Sequence, residues 1–163
     1  MGENPQKILK NRYMVVARTL ILLFDKGQVL LQKAPETKKL WPGLYNGMGG
    51  HIERGEDVIT SARREVLEES GLVVDDLKVD GNVMIDVEPE QGICLFVLSG
   101  RTFHGEMRSS EEGKLEWIKL GRLSNYPCVE DIPLLIPRIL SGQFFSLRYS
   151  YDAEGKLIID EGK

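Results

Sequence analysis

The sequence predicts an α+β fold, an α/β/α sandwich in which a mixed central sheet carries helices packed on it. Strand-like runs stand before, between and after two helical stretches, which calls for layers of sheet and helix. The composition, 42% hydrophobic and 28% charged over 163 residues, suits one ordinary unit with a sizeable core. No internal repeat and no low-complexity tract divides it. Residues 1–163 therefore read as a single domain, with 1–12 a polar N-terminal extension.

Tyr13 to Phe24 is apolar and β-branched, Asp25-Lys26-Gly27 is a turn, and Gln28 to Lys33 is apolar again, which predicts two strands joined by a tight hairpin. Ala34 to Gly43, with Pro35, Pro42 and three charged residues, reads as a loop. It leads into Leu44-Tyr45-Asn46-Gly47-Met48-Gly49-Gly50, where glycines could let backbone groups reach a metal or a phosphate. A plain glycine-rich bend is the alternative. Asp57 and Thr60 then open a helix, Ile59, Ala62 and Val66 recur at helical spacing, and Gly71 supplies a left-handed stop. Leu77 to Asp86 and Ile93 to Phe103 follow as strands, the second burying Cys94 to Leu98. Ser109 to Gly113 is a polar loop ahead of a strand at Leu115 to Ile118. Asp131 to Leu140 reads as a second helix, interrupted or kinked by Pro137 and ended by Ser141-Gly142. Phe145, Leu147, Tyr149 and Tyr151 alternate with polar residues at strand period, and Ala153-Glu154-Gly155 turns that strand into Lys156 to Asp160.

A formal net charge of −4 argues against a non-specific grip on long nucleic acid, while a small nucleotide carried with Mg²⁺ remains compatible. The N-terminus lacks the apolar core of a signal peptide, and no later stretch approaches a membrane span. Gly2 is not read as a myristoylation site, because Gln6 stands where Ser or Thr is wanted. Cys94 and Cys128 have neither paired nor metal-like spacing, so reduced thiols and the cytoplasm are expected. With His51 and His104 as the only histidines, the chain has little material for a Ser-His-Asp or Cys-His nucleophile.

The first helix carries Glu65, Glu68 and Glu69 on one face. Three carboxylates so placed repel one another. A divalent cation would resolve the conflict, since hard cations such as Mg²⁺ favour carboxylate oxygen, water and substrate phosphate. A solvated acidic face braced by Arg64 is the other reading. Cleaving a pyrophosphate link requires charge neutralisation on non-bridging oxygens and a water positioned in line, a task that suits carboxylates on a rigid helix holding metal.

Gly50, Glu56 and Arg64-Glu65-Val66-Leu67-Glu68-Glu69-Ser70-Gly71-Leu72 fall on the pattern G-x5-E-x7-R-E-[aliphatic]-x-E-E-x-G-[aliphatic], and the chain thereby resembles the Nudix hydrolases at every position of their box. The resemblance implies the Nudix fold and a metal-dependent enzyme that cleaves a nucleoside diphosphate linked to another group. Mg²⁺ is the implied cofactor, with Mn²⁺ as a possible substitute. It also implies Glu65, Glu68 and Glu69 as metal ligands, the carbonyl of Gly49 or Gly50 as a further contact, and Arg64 with Glu56 as the pair that orients them. Many members carry an acid shortly before a Trp-bearing strand as ligand or base; ahead of Trp117 this makes Glu112 the candidate, with Glu111 second.

From about residue 18 to 160 the layout is also similar to animal-type oxidised purine nucleoside triphosphatases of the MutT-related group, which act on 8-oxo-dGTP. Asn46-Gly47-x-Gly49-Gly50, Ala62 to Leu72, the Trp117 strand, the Pro-bearing helix and the aromatic hairpin carry that similarity. It implies Asn46 and Asp131 as base contacts and Gly49 and Leu40 as further substrate contacts, Leu40 standing where an aromatic would serve. An amide can both donate and accept, whereas an aspartate donates only when protonated. A turn role for Asn46 and a helix N-cap role for Asp131 are the local alternatives. At Val129-Glu130-Asp131-Ile132 the chain departs from the group, and one acid and the stacking ring are expected to be missing. The expected substrate is an oxidised purine nucleoside triphosphate. ADP-ribose, a dinucleoside polyphosphate, a sugar nucleotide or capped RNA are the alternatives, and a non-catalytic nucleotide-binding module is the third.

Overall fold

The computed structural model describes residues 2–162. Strands β1 (Met14–Asp25), β2 (Gln28–Lys33), β3 (Tyr45–Asn46), β5 (Lys78–Asp86), β6 (Gln91–Gly100), β8 (Lys114–Lys119), β9 (Phe145–Tyr151) and β10 (Leu157–Glu161) make one eight-stranded sheet, and β4 (Val73–Val74) and β7 (Phe103–His104) make a small second one. The main order is β10-β9-β5-β6-β1-β2-β3, with β8 on β2. Parallel pairs β1–β6 and β5–β9 stand among antiparallel neighbours, so the sheet is mixed, as the α+β expectation requires. Helices α1 (Val58–Ser70) and α2 (Ile132–Leu140) cover it.

β1 shows why the layers form. Leu20, Leu22 and Phe24 enter one core with Ile132, Leu135, Ile136 and Ile139 of α2, while Ile21 and Leu23 enter a second with Ala62 and Val66 of α1. A strand covered on both faces needs an unbroken apolar run and not alternation, which is what Leu20 to Phe24 supplies. The hairpin to β2 turns on Lys26 and Gly27, both at positive φ, as the tight turn demands.

Four local expectations are corrected. Ile93 to Phe103 is not one strand: β6 stops at Gly100, because the Asp76 carboxylate accepts from the Arg101 and Thr102 amides at 2.9 and 2.8 Å. The chain then pairs as β7 with β4. Asp131 makes no side-chain cap to α2; its carboxylate instead accepts from the Tyr149 hydroxyl at 3.3 Å. Pro137 does not interrupt α2, which is continuous from Ile132 to Leu140, since the bond that Pro137 cannot make is to the carbonyl of Pro133, in the first turn. Tyr45–Asn46 forms a short strand on β2 where a bend was one reading. Among the described residues no helix is long and apolar enough to cross a membrane.

Candidate functional site

The approach to α1 is built by the Asn46–Gly50 segment, pinned to β1. Met48 and Ile21 exchange both backbone bonds, and Thr19 donates its amide to the Gly50 carbonyl at 2.8 Å. Between them Gly49 sits at φ 147, where an added Cβ would come within 2.0 Å of the Thr19 carbonyl oxygen. The Gly49 amide donates to the Glu69 carboxylate at 3.0 Å. Of the two carbonyls proposed for a metal contact, that of Gly50 is therefore already used by Thr19, and that of Gly49 takes no bond among the described residues. Asp57 starts α1 by accepting from Thr60, and Gly71 ends it in the left-handed conformation, as the sequence predicts.

The three helix acids are held differently. Arg64 grips Glu56 with two bonds, Nε–Oε1 at 2.5 Å and Nη2–Oε2 at 3.0 Å, and also donates to the His51 carbonyl at 3.2 Å. Its Nη1 reaches Glu65 at 2.9 Å and Glu68 at 3.3 Å. The Arg64 guanidinium holds the Glu56 carboxyl down at about 2. Glu69 is only 6% exposed and points inward. Burial foremost, then repulsion from Glu65 and Glu112, pushes its carboxyl up to about 8, against the Gly49 amide and Lys38. Glu112 is ion-paired with Lys38 and lines the same cavity as Glu69. Glu111 does not line it.

The expectation that Glu65, Glu68 and Glu69 aim together at a cation is corrected in one respect. Among the described residues no three acidic, His or Cys side chains are arranged to hold a metal ion, because Arg64 is the counter-charge of Glu65 and Glu68. The donor set nevertheless fits a hard divalent cation. It is all oxygen, and it contains a buried carboxylate that two other acids repel and a free backbone carbonyl beside it. Glu68 is the outermost member, with its side chain 58% exposed, so a rotamer change is enough to release it from Arg64. Glu65, Glu68, Glu69, Glu112 and the Gly49 carbonyl are thus the groups that could hold such an ion.

Beside this acid-lined cavity lies a second, on the α2 side of the sheet. Its floor is apolar, from Leu20, Ile85, Ile93 and Leu95, and its rim carries Asn46 and Asp131. The two cavities share Arg18, Trp41, Asn46, Gly47 and Gly49. Asn46 spends its side-chain oxygen on the Gly47 amide at 2.8 Å, so the turn role and the ligand role coexist, and what it offers a ligand is its amide nitrogen. Burial, with Glu130 adding, raises the Asp131 carboxyl, which favours the protonated form that can donate. Glu130 and Asp131 both line this cavity, so the expected loss of one acid is corrected.

No ring stands at Val129 to Ile132, but an aromatic from another loop lines the cavity. Leu40 lines only the acid-lined cavity, whereas Trp41, the next residue, lines both. Trp41 has φ 51, a strained value for a bulky residue and one held by the turn in which the Leu44 amide bonds back to the Trp41 carbonyl. Sequence reasoning passed over it because a loop aromatic before Pro42 has no periodicity; its signal was a single Trp in an otherwise polar segment. Trp41→Ala is expected to raise KM for a nucleotide substrate about tenfold with kcat little changed, read from initial rates, if the ring stacks on a base. Tyr149 and Tyr151 of β9 were likewise missed as lining residues, since strand period marked them as core.

A family model described as the NUDIX domain matches residues 14–137. The chain is similar to the oxidized purine nucleoside triphosphate hydrolase of Danio rerio, with 31% identity over 128 residues, 78% of this chain and 81% of that protein. To the protein of the same name in Mus musculus it is 28% identical over 141 residues, 86% of this chain and 89% of the other. The crystal structure of the MutT protein from Bacillus halodurans matches with a TM-score of 0.79 at 25% identity, covering 90% of this chain and 97% of that one.

Proposed function

From the premise that the chain belongs to the Nudix family and is a Nudix pyrophosphohydrolase, we propose that it hydrolyses an oxidised purine nucleoside triphosphate, 8-oxo-dGTP or a close relative, to monophosphate and pyrophosphate, with Mg²⁺ as the cation. One observation carries the reading. An apolar cavity rimmed by Asn46 and Asp131 opens, through the shared Gly47–Gly49 segment, onto the acid-lined cavity of Glu69 and Glu112. A base held in the first would direct its phosphates into the second. The names of the fish and mouse relatives agree with that substrate class.

The residues divide the work. Asp131, half-buried and with its carboxyl raised towards the protonated form, donates to the base, and the Asn46 amide nitrogen donates to a base carbonyl, so the two together select a purine edge rich in acceptors. Trp41 covers the ring against the apolar floor. Glu56 holds Arg64, and Arg64 sets the rotamers of Glu65 and Glu68, so that the acids stand ready without collapsing outward. A divalent cation bound by these acids supplies charge neutralisation at the phosphates and activates a water. Glu112, released from Lys38, is the further acid.

The test is a panel of 8-oxo-dGTP, dGTP, ADP-ribose, a dinucleoside polyphosphate, a sugar nucleotide and capped RNA, with separate detection of phosphate and pyrophosphate. The expected result is pyrophosphate release, with kcat/KM for 8-oxo-dGTP about tenfold or more above dGTP. Preference for a diphosphate-linked sugar would overturn the substrate assignment. Turnover of no compound with Mg²⁺ or Mn²⁺ would favour the binding-module alternative. Asp131→Asn keeps a donor at every pH. It should give a flatter pH profile than wild type, without the fall in kcat/KM that accompanies ionisation of Asp131 as pH rises.

A further inference from the structure

Two donor side chains line the acid-lined cavity without a protein partner among the described residues. Arg18 lies on β1 in the row of Leu20, Leu22 and Phe24, beside Leu95 of the parallel β6, so its side chain shares the face of the apolar floor. It is partly buried there and lines both cavities. Among the described residues no carboxylate lies within ion-pairing distance of it, and its guanidinium donates no hydrogen bond. Partly exposed beside an apolar floor and held by no carboxylate, this guanidinium is free to pair with an anion that enters.

Gln32 is the second donor. It is 7% exposed, and its Nε2 is buried with no hydrogen-bond partner among the described residues. It lines the acid-lined cavity with Arg18, Glu69 and Glu112, and its stem is held against Gly113, where an added Cβ would come within 2.8 Å of the Gln32 Cγ. A buried amide without a partner destabilises the fold that encloses it. Both residues line the same cavity as Glu69 and Glu112, and the enclosed Gln32 Nε2 gains a partner if its amide turns towards a ligand there.

We infer that Arg18 and Gln32 form the phosphate-binding side of the site, donating to phosphoryl oxygens that the acidic helix cannot hold. The inference rests on the pyrophosphohydrolase reading and assigns a task within it. Arg18, which reaches both cavities, takes the phosphate attached to the nucleoside, the one retained in the monophosphate product. Gln32, deeper on the acid side, takes an oxygen of the departing pyrophosphate. A guanidinium matches a phosphate with two parallel bonds, and this pairing fixes the chain between base and acids.

The test is calorimetry in EDTA with the full chain, titrating inorganic pyrophosphate, 8-oxo-dGMP and 8-oxo-deoxyguanosine into wild type, Arg18→Met and Gln32→Leu. Methionine keeps the apolar stem and leucine the side-chain shape, so packing is retained. Arg18→Met should weaken 8-oxo-dGMP about tenfold or more while leaving the nucleoside within about twofold. Gln32→Leu should weaken pyrophosphate about threefold and yet raise the melting temperature of the ligand-free chain, a pair of effects no packing role produces. Equal losses for nucleoside and monophosphate with Arg18→Met, or pyrophosphate binding untouched by Gln32→Leu, would overturn the inference. If neither 8-oxo compound binds wild type while pyrophosphate binding depends on Gln32, the oxidised-purine reading falls and the phosphate role stands.

Discussion

Glu69→Gln should lower kcat by about 10²–10³-fold in saturating Mg²⁺ while leaving the fold intact. The amide oxygen of glutamine can still accept from the Gly49 amide, so the approach loop keeps its anchor. What disappears is the one helix acid that has no Arg64 to neutralise it and that faces the cavity. Wild-type kcat in this variant would remove the acidic helix from the mechanism.

The same substitution has a pH signature. The carboxyl of Glu69 is raised in the fold from 4.5 to about 8, chiefly by burial. Between those values the native chain binds more protons than the unfolded one, so this residue makes wild-type stability fall as pH rises from about 4.5 to about 8 and adds nothing further above. Glu69→Gln removes that slope. In EDTA the variant should match wild type near pH 4.5 and exceed it at pH 8 by an amount on the order of a few kcal/mol, read from denaturant midpoints. A cation must displace the same proton, so the apparent Mg²⁺ affinity of wild type should rise with pH up to about 8. Flat stability and flat affinity over that range would show that Glu69 is ionised in the fold.

Gly49→Ala should be the most damaging single-atom-scale change in the chain. The residue is at φ 147, and a Cβ there meets the Thr19 carbonyl oxygen at 2.0 Å and its carbon at 2.8 Å. Both belong to the backbone of a central strand, which cannot move aside. A loss of roughly 3 kcal/mol or more is expected, seen as a lowered melting temperature, together with a large loss of turnover, because the Gly49 amide and carbonyl both belong to the site. Gly121→Ala is the control: nothing lies within 4 Å of its added Cβ, and it should change stability by no more than about 0.5 kcal/mol.

The reaction class was legible in the chain because it lives in local spacing. Helical periodicity puts Glu65, Glu68 and Glu69 on one face of α1, and the resemblance to the Nudix box adds Glu56 and Arg64 from the same short stretch. The Asp57 cap and the Gly71 stop bound that helix without help from the rest of the fold. The apolar run of β1 likewise announced a strand, and the structure added that both of its faces are covered.

Only the tertiary structure decided what surrounds those acids and what faces them. Strand order is set by which apolar faces meet, and nothing in the separate runs says that β1 lies parallel to β6. Trp41, and not Leu40, lines both cavities because the pocket wall is made by a strained turn, whose backbone angles no periodicity encodes. Asp131 accepts from the Tyr149 hydroxyl and does not cap α2, because β9 brings Tyr149 to it from 18 residues further along the chain. Arg18 and Gln32 look like ordinary strand residues in sequence, and the lack of any partner for them among the described residues is a property of the assembled structure. Local chemistry is written along a helix, whereas burial and the absence of a counter-charge exist only once distant segments have closed around a residue.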